Sequence, residues 1–349
     1  MSPSVKTFWW IDDDDERVQK AIPAYKTRHG TGATSRSVNV ELVHVPDGKW
    51  DSVQQRITDA KKDEILPDLI MIDQMLQNNG RGLSFKGSSL AMAVRGELPH
   101  VPIVLLSAGD PPLSRQIREG VDFFTFDEVN LAQRFDDLWA IAEGFAMVRS
   151  IPFTGSLTDH QARISEFLGI PQEDCSLFQQ SIPGEFLAKW DDETIHSFTR
   201  WTWKVFLDRP GFLLDEWHLA TLLGITLEGL PLIKKRLRTC LYSNAFVSPT
   251  RPRWWASSIR RTLVDVSSRY HTWGLWQIGR DLTDNKFNSK AFARDVNAVP
   301  TCVAWMDELK KKRVQTMRED TEEIPYDTPS DGFTLERVFR GVKGHGKKT

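Results

Sequence analysis

Five apolar runs of strand length, separated by segments of helical character, occupy the first half of this 349-residue chain. They are TFWWI (Thr7 to Ile11), ELVHV (Glu41 to Val45), DLIMI (Asp68 to Ile72), PIVLL (Pro102 to Leu106) and DFFTF (Asp122 to Phe126). Helical patterns fall at Glu16 to Arg28, Trp50 to Lys62, Ser88 to Arg95, Leu113 to Glu119 and Glu128 to Val148. Strands that are apolar throughout, rather than on alternate residues, must be buried on both faces, and strand-helix alternation supplies the cover. The chain is therefore expected to be α/β: a five-stranded, doubly wound parallel sheet over residues 1–150, followed by a mainly helical second domain.

In such a sheet, ligands bind beyond the carboxyl ends of the strands. Asp12 and Asp13 directly follow the first strand, Asp73 follows the third and Ser107 follows the fourth. If the fold holds, these side chains meet at one edge although sixty positions separate them. Three carboxylates so placed repel one another unless a hard cation such as Mg²⁺ sits among them. The chemistry this implies is metal-assisted phosphoryl transfer to a carboxylate. Read singly, DDDDE is a solvated loop and Asp73 a turn residue; their coincidence across separate strands favours a site.

The runs FWWIDDD, PDLIMIDQML, VPIVLLSAG and GVDFFTF stand in the order and at roughly the spacing of the strand-end motifs of bacterial response-regulator receivers. Residues 5–148 resemble that family, whose sheet has the flavodoxin-like strand order. The resemblance implies that Asp73 is the phosphoacceptor and that Asp12 and Asp13 are the acidic pair, Asp13 touching the metal. It implies too that Met75 offers a backbone carbonyl to Mg²⁺, that Ser107 binds the phosphoryl group, and that Phe124 relays the switch. The sequence departs from the family at one point: receivers carry a lysine just after the fifth strand. Here Phe126 or Asp127 stands there, and no lysine occurs from Gly87 to Ala188. Arg81 and Lys86, in a long loop from Gln74 to Gly87, are the candidates to replace that charge. A second long loop runs from Thr27 to Val40.

Ile151 to Ser156 reads as a linker, and nine of the thirteen tryptophans follow residue 189. Helical patterns lie at Asp159 to Leu168, with a capping Asp or Thr, at Trp190 to Leu207 and at Asp215 to Leu223. Trp201, Trp203 and Trp217 are expected in the core. From Leu230 to Arg280 the chain carries ten Lys and Arg against Asp265 alone, within a protein of net charge −2. In the segment 215–262, Ala220, Gly224, Leu230 and Ile233 fit a helix-turn-helix, and NAFVSPTRPRWW fits the wing of a winged helix. Lys234, Lys235, Arg236, Arg238, Arg251 and Arg253 would then contact nucleic acid or a protein partner, although Pro231 stands inside the second helix. The helical domain is expected over 151–317, with VPTCVAWMDEL as a strand or short helix and Lys310 to Arg313 on a solvated face. A polar, partly disordered tail occupies 318–349.

Cys175, Cys240 and Cys302 are too far apart for a disulfide framework or a cysteine zinc site. No run approaches the roughly 20 apolar residues of a membrane span, and no signal-peptide pattern opens the chain, so a cytoplasmic location without a membrane partner is expected. No hydrolase, metalloprotease or P-loop pattern occurs, and the reading is of a protein that is not an enzyme beyond self-phosphorylation. Three functions fit: a signalling protein, controlled by a sensor kinase, whose receiver governs its second domain; a pseudo-receiver serving as scaffold or phosphate sink; and a DNA-binding regulator.

Overall fold

The computed structural model describes residues 5–14, 16, 18–19, 37–45, 50–76, 85–107, 123–127, 134–152, 156–208 and 211–288. The helix expected over 113–119, Arg81, Cys302 and the readings from residue 298 to the tail lie outside them, as does most of the helix expected over 16–28. The described residues group into two compact units. The first takes residues up to Ser150 together with Trp190–Arg200, and the second takes Ile151–Lys189 and residues from Trp201 onward.

The first unit is built on β1 (Val5–Asp12), β2 (Ser37–His44), β3 (Leu69–Asp73), β6 (Ile103–Ser107) and β7 (Phe124–Asp127), all parallel, in the order β2-β1-β3-β6-β7. This is the doubly wound order expected. The second strand starts at Ser37, four residues before the expected Glu41, and pairs over its whole length with β1. Phe8, Trp9, Trp10 and Ile11 in β1 and Leu69 to Ile72 in β3 are at most 1% exposed, so these strands are covered on both faces.

One face carries α1 (Trp50–Lys62) and α2 (Gly87–Glu97). Val53, Ile57 and Ala60 of α1 and Leu90, Ala91 and Val94 of α2 join Trp9, Ile11, Ile70, Ile72 and Leu105 in one cluster. Each such aliphatic side chain contributes ~1.5–3 kcal/mol of burial, which is why the three- and four-residue spacing suffices to seat these helices. Against the other face, Phe135 of α3 (Phe135–Arg149) sets its ring 6.3 Å from that of Phe8, and Lys6 lies over Trp139. Buried positions run around most of α3, including Asp137, whose carboxylate accepts from Arg134 at 2.9 Å.

Within the second unit, α4 (Leu157–Phe167) is capped by Ser156, whose hydroxyl accepts from the Asp159 amide. The sequence pointed to Thr or Asp, but Asp159 falls in the first turn, where its charge suits the helix dipole. The single helix expected over 190–207 is interrupted: α6 (Asp192–Trp201), which follows α5 (Cys175–Ser181), gives way to a π-turn over Thr202–Phe206. Its closing bond runs from the Leu207 amide to the Thr202 carbonyl at 2.9 Å. Further on stand α7 (Glu216–Leu222), α8 (Leu230–Lys234), α9 (Ala256–Val264) and α10 (Leu275–Leu282), with a two-residue ladder of β8 (Leu213–Leu214) and β9 (Trp254–Trp255). Gly224 ends α7 at φ +62°, and the amides of Gly224 and Ile225 return to the carbonyls of Thr221 and Ala220 in a Schellman closure. Trp203 is buried, and Trp217 packs against the core formed by α7 to α10.

Residues Trp190–Arg200 belong to the first unit through His196. This imidazole is 6% exposed and its Nε2 lies 2.8 Å from the Pro99 carbonyl. Its Nδ1 is 3.5 Å from Arg95, and its ring is 4.7 Å from that of Phe145. Burial, and then the Arg95 cation, push its pKa down to about 4, with Arg149 adding to the fall and the Pro99 carbonyl and Asp192 opposing it. The folded protein thus holds His196 neutral, whereas the unfolded chain takes up a proton below its ordinary value of about 6.5. Stability is complete above that value and declines as pH falls from 6.5 toward 4, by up to roughly 3 kcal/mol. Urea midpoints of the full chain at pH 7 and pH 5 should show this loss in wild type, and His196→Gln should remove most of the difference.

Candidate functional site

β1 and β3 are neighbours in parallel register, Ile11 beside Ile72, so the next residue on each is an aspartate. One carboxylate oxygen from each of Asp12, Asp13 and Asp73 lies within 4.8 Å of the others. Asp12 is fully buried, Asp73 is 3% exposed and Asp13 is half-buried. The Asp12 carboxylate accepts from Trp10 Nε1 at 3.1 Å and from the Asp14 amide at 2.8 Å. Asp73 Oδ1 accepts from the Met75 amide at 3.1 Å. These three donors orient two carboxylates without neutralising them. The set of hard oxygens is the type that Mg²⁺ prefers, with Asp12, Asp13 and Asp73 as the residues that would hold it.

The other residues singled out in the sequence fall around this cluster in defined positions. Leu106 pairs with Asp73 and with Phe126, so Ser107 lies one residue beyond the level of Asp73, at the carboxyl edge of the sheet. Ser107 pairs with Asp127. Of the two residues that the sequence offered at the lysine position, the register pairs Asp127 with Ser107. Phe124 pairs with Val104, three residues earlier, and is 4% exposed. Met75 begins a two-residue antiparallel ladder, β4 (Met75–Leu76) with β5 (Phe85–Lys86), so the long loop after Asp73 is anchored at both ends. Lys86 stands exposed on β5, opposite Met75.

Three residues of this site were missed by sequence reasoning. Trp10, read as a strand residue, also donates to Asp12; the two share a strand face, and that i, i+2 relation was available in the sequence. Gln74 is 5% exposed, its amide bonds the Leu106 carbonyl at 2.8 Å, and its side-chain oxygen has no partner among the described residues. Gly87, where the loop ends and α2 begins, donates its amide to the Gln74 carbonyl at 3.0 Å. A Cβ at Gly87 would stand 2.0 Å from the Asp73 carbonyl oxygen and 2.9 Å from the Gln74 Cα. Those are backbone atoms at and just after the end of β3, so a side chain here displaces the segment that carries Asp73. Gly87→Ala should lower stability by about 2 kcal/mol or more. Gly96→Ala, whose added methyl meets nothing within 4 Å, should be neutral or stabilising by up to about 1 kcal/mol, and denaturant midpoints compare the two.

In the basic segment, Ala220, Leu230 and Ile233 are buried and Gly224 makes the turn, as a helix-turn-helix pattern requires. The second helix differs from expectation. It is five residues long, with Pro231 in its first turn rather than in its middle. Most of the cations also have internal partners. Lys234 pairs with Glu216, Arg261 with Glu173 and Arg269 with Asp281. Arg251 and Arg253, placed by the sequence at the tip of a wing, both pair with Asp208, and Arg251 lies over the Trp203 ring. Arg260 and Arg280 reach the carbonyls of Trp273 and Gly224. Lys235, Arg236 and Arg238 stay exposed on and after the end of α8. Among the described residues, no helix is long and apolar enough to cross a membrane.

No family model matches the chain, and no curated protein matches it. A solved fusion protein carrying the trimeric coiled coil of yeast Spc42 aligns over 48% of this chain and 97% of its own, at 16% identity and a TM-score of 0.31, too low to bear on the fold.

Proposed function

We propose that the first unit is a receiver-like signalling domain in which Asp73 accepts a phosphoryl group from a small or protein-borne phosphodonor. The observation that carries this reading is the convergence of Asp12, Asp13 and Asp73 at the carboxyl edge of a parallel sheet, two of them buried. A buried carboxylate cluster costs stability, and a structural role gives no reason to keep one. In the proposed step an Asp73 carboxylate oxygen attacks the phosphorus of an acyl phosphate or phosphohistidine. The bond from phosphorus to the donor breaks, the donor leaves with the electron pair, and an aspartyl phosphate forms. Mg²⁺ bound by the three carboxylates would neutralise charge on the transferring group. The Met75 amide bonds the Asp73 carboxylate, and Ser107, one residue beyond the level of Asp73, would donate its hydroxyl to a phosphoryl oxygen.

Asp127 in the lysine's place favours a second form of the same proposal. An acid at the register position of Ser107 would oppose the charge of a phosphoryl group, so this pocket would suit a cation better than a phosphorylated state. The unit would then act as a pseudo-receiver whose metal-bound form contacts a partner, with the sensor kinase dispensable.

Intact mass after incubation with Mg²⁺ and acetyl phosphate decides between these. A gain of one phosphoryl group that Asp73→Asn abolishes supports the phosphoswitch, and Asp127→Lys should then raise its yield by roughly tenfold or more. No gain in either wild type or Asp127→Lys would sink it. Because Trp10 donates to Asp12, Mg²⁺ alone should alter the fluorescence of wild type more than that of Trp10→Phe, and equal responses would argue against metal at Asp12.

A further inference from the structure

Up to Arg200, α6 belongs to the first unit, although the residues just before Trp190 and just after Arg200 do not. Side-chain contacts rather than a strand ladder join it to that unit, and two of its hydrogen bonds there run through one imidazole. His196 Nε2 lies 2.8 Å from the Pro99 carbonyl, and Nδ1 lies 3.5 Å from Arg95 Nη2. A carbonyl can only accept, so Nε2 carries the proton; a guanidinium can only donate, so Nδ1 is the accepting nitrogen. The neutral ring in this tautomer suits both neighbours.

A proton added at Nδ1 suits neither the site nor the helix. It sets one N–H donor against another and one positive charge against another. Arg95 is held where it is, its guanidinium 4.3 Å from the centre of the Phe123 ring. The imidazole is 6% exposed and packs on Phe145, so water does not screen the two charges. The remaining charged groups do not reverse this. Arg149 of α3 adds to the positive side, and Asp192, in the first turn of α6, opposes it while also meeting the exposed His100 at 2.9 Å. Arg200 and Glu193, both on α6, act on Arg95 with opposite signs. The sheet is held differently, by backbone ladders between strands whose residues Phe8 to Ile11 and Leu69 to Ile72 are at most 1% exposed.

We propose that His196 is an acid-sensitive latch: when its imidazole gains a proton, α6 leaves the rest of the first unit while the parallel sheet stays folded. The inference is independent of the acidic pocket, none of whose residues it uses. The docked ring titrates near 4 and a released one near its ordinary value of about 6.5, so the latch is fully engaged above 6.5 and weakens as pH falls toward 4.

Hydrogen exchange of the full chain, followed by mass spectrometry and corrected for the chemical exchange rate at each pH, reads the latch directly. Between pH 6.5 and pH 5 the opening of peptides within residues 192–200 should rise by roughly tenfold, while peptides spanning Leu69–Asp73 keep their protection. In His196→Gln the rise should vanish. Arg95→Met keeps the imidazole and removes the cation that faces it, so its rise should be smaller than that of wild type, which serves if the glutamine variant fails to dock the helix at all. No rise in wild type, an equal rise in the β3 peptides, or an undiminished rise in Arg95→Met would each overturn the inference.

Discussion

The first unit depends on the parallel pairing of β1 with β3. Backbone hydrogen bonds set Ile11 beside Ile72, and this brings two aspartates together one step later. Two unit charges about 5 Å apart interact by roughly 3 kcal/mol at an effective dielectric constant near 20. Three carboxylates within 4.8 Å carry that cost for each pair that is ionised together. Hydrogen bonds from Trp10, Asp14 and Met75 orient the carboxylates of Asp12 and Asp73, yet they add no positive charge. The sheet can tolerate the cluster because Phe8 to Ile11 and Leu69 to Ile72 are buried on both faces and bind the strands far more strongly than their ends repel.

The second unit treats charge in the opposite way. Its surplus of basic residues in sequence is largely consumed by pairing to acids brought from elsewhere in the chain, Glu173, Asp208, Glu216 and Asp281. A run of ten cations against one anion is thus a property of the segment and not of the surface it forms. What remains outward is Lys235, Arg236 and Arg238, a small patch just after a five-residue helix.

The parallel sheet and its acidic edge were legible because they rest on short-range rules: apolar runs mark strands buried on both faces, and an acid after a strand lands at its carboxyl edge. The helix over residues 50–62 follows from its periodicity, with Val53, Ile57 and Ala60 facing the sheet. Less could be read where partners are distant in sequence. Nothing local to Arg251 and Arg253 announces Asp208, forty-odd positions earlier, and nothing in KGSS announces that Gly87 abuts the backbone of Asp73. The π-turn after Trp201 was equally hidden, since its residues have the pattern of a continuing helix and only the packing of Trp203 and Phe206 distinguishes it.

Gly87 and Asp127 together indicate which properties this pocket retains. Gly87 permits the backbone at the start of α2 to press against the end of β3, and the β4–β5 ladder pairs Met75 and Leu76 with Lys86 and Phe85. Both features hold the Asp73 backbone in position before any ligand arrives, which would serve the proposed cation binding and reaction alike. Asp127, which pairs with Ser107 in the sheet, would bear on a later stage of the proposed reaction, once a dianionic group had formed. Preorganisation of the acids and stabilisation of a phosphorylated state are therefore separable in this fold. A chain can keep the first while losing the second, because the acids are held by β1 and β3 whereas the missing cation would have come from β7.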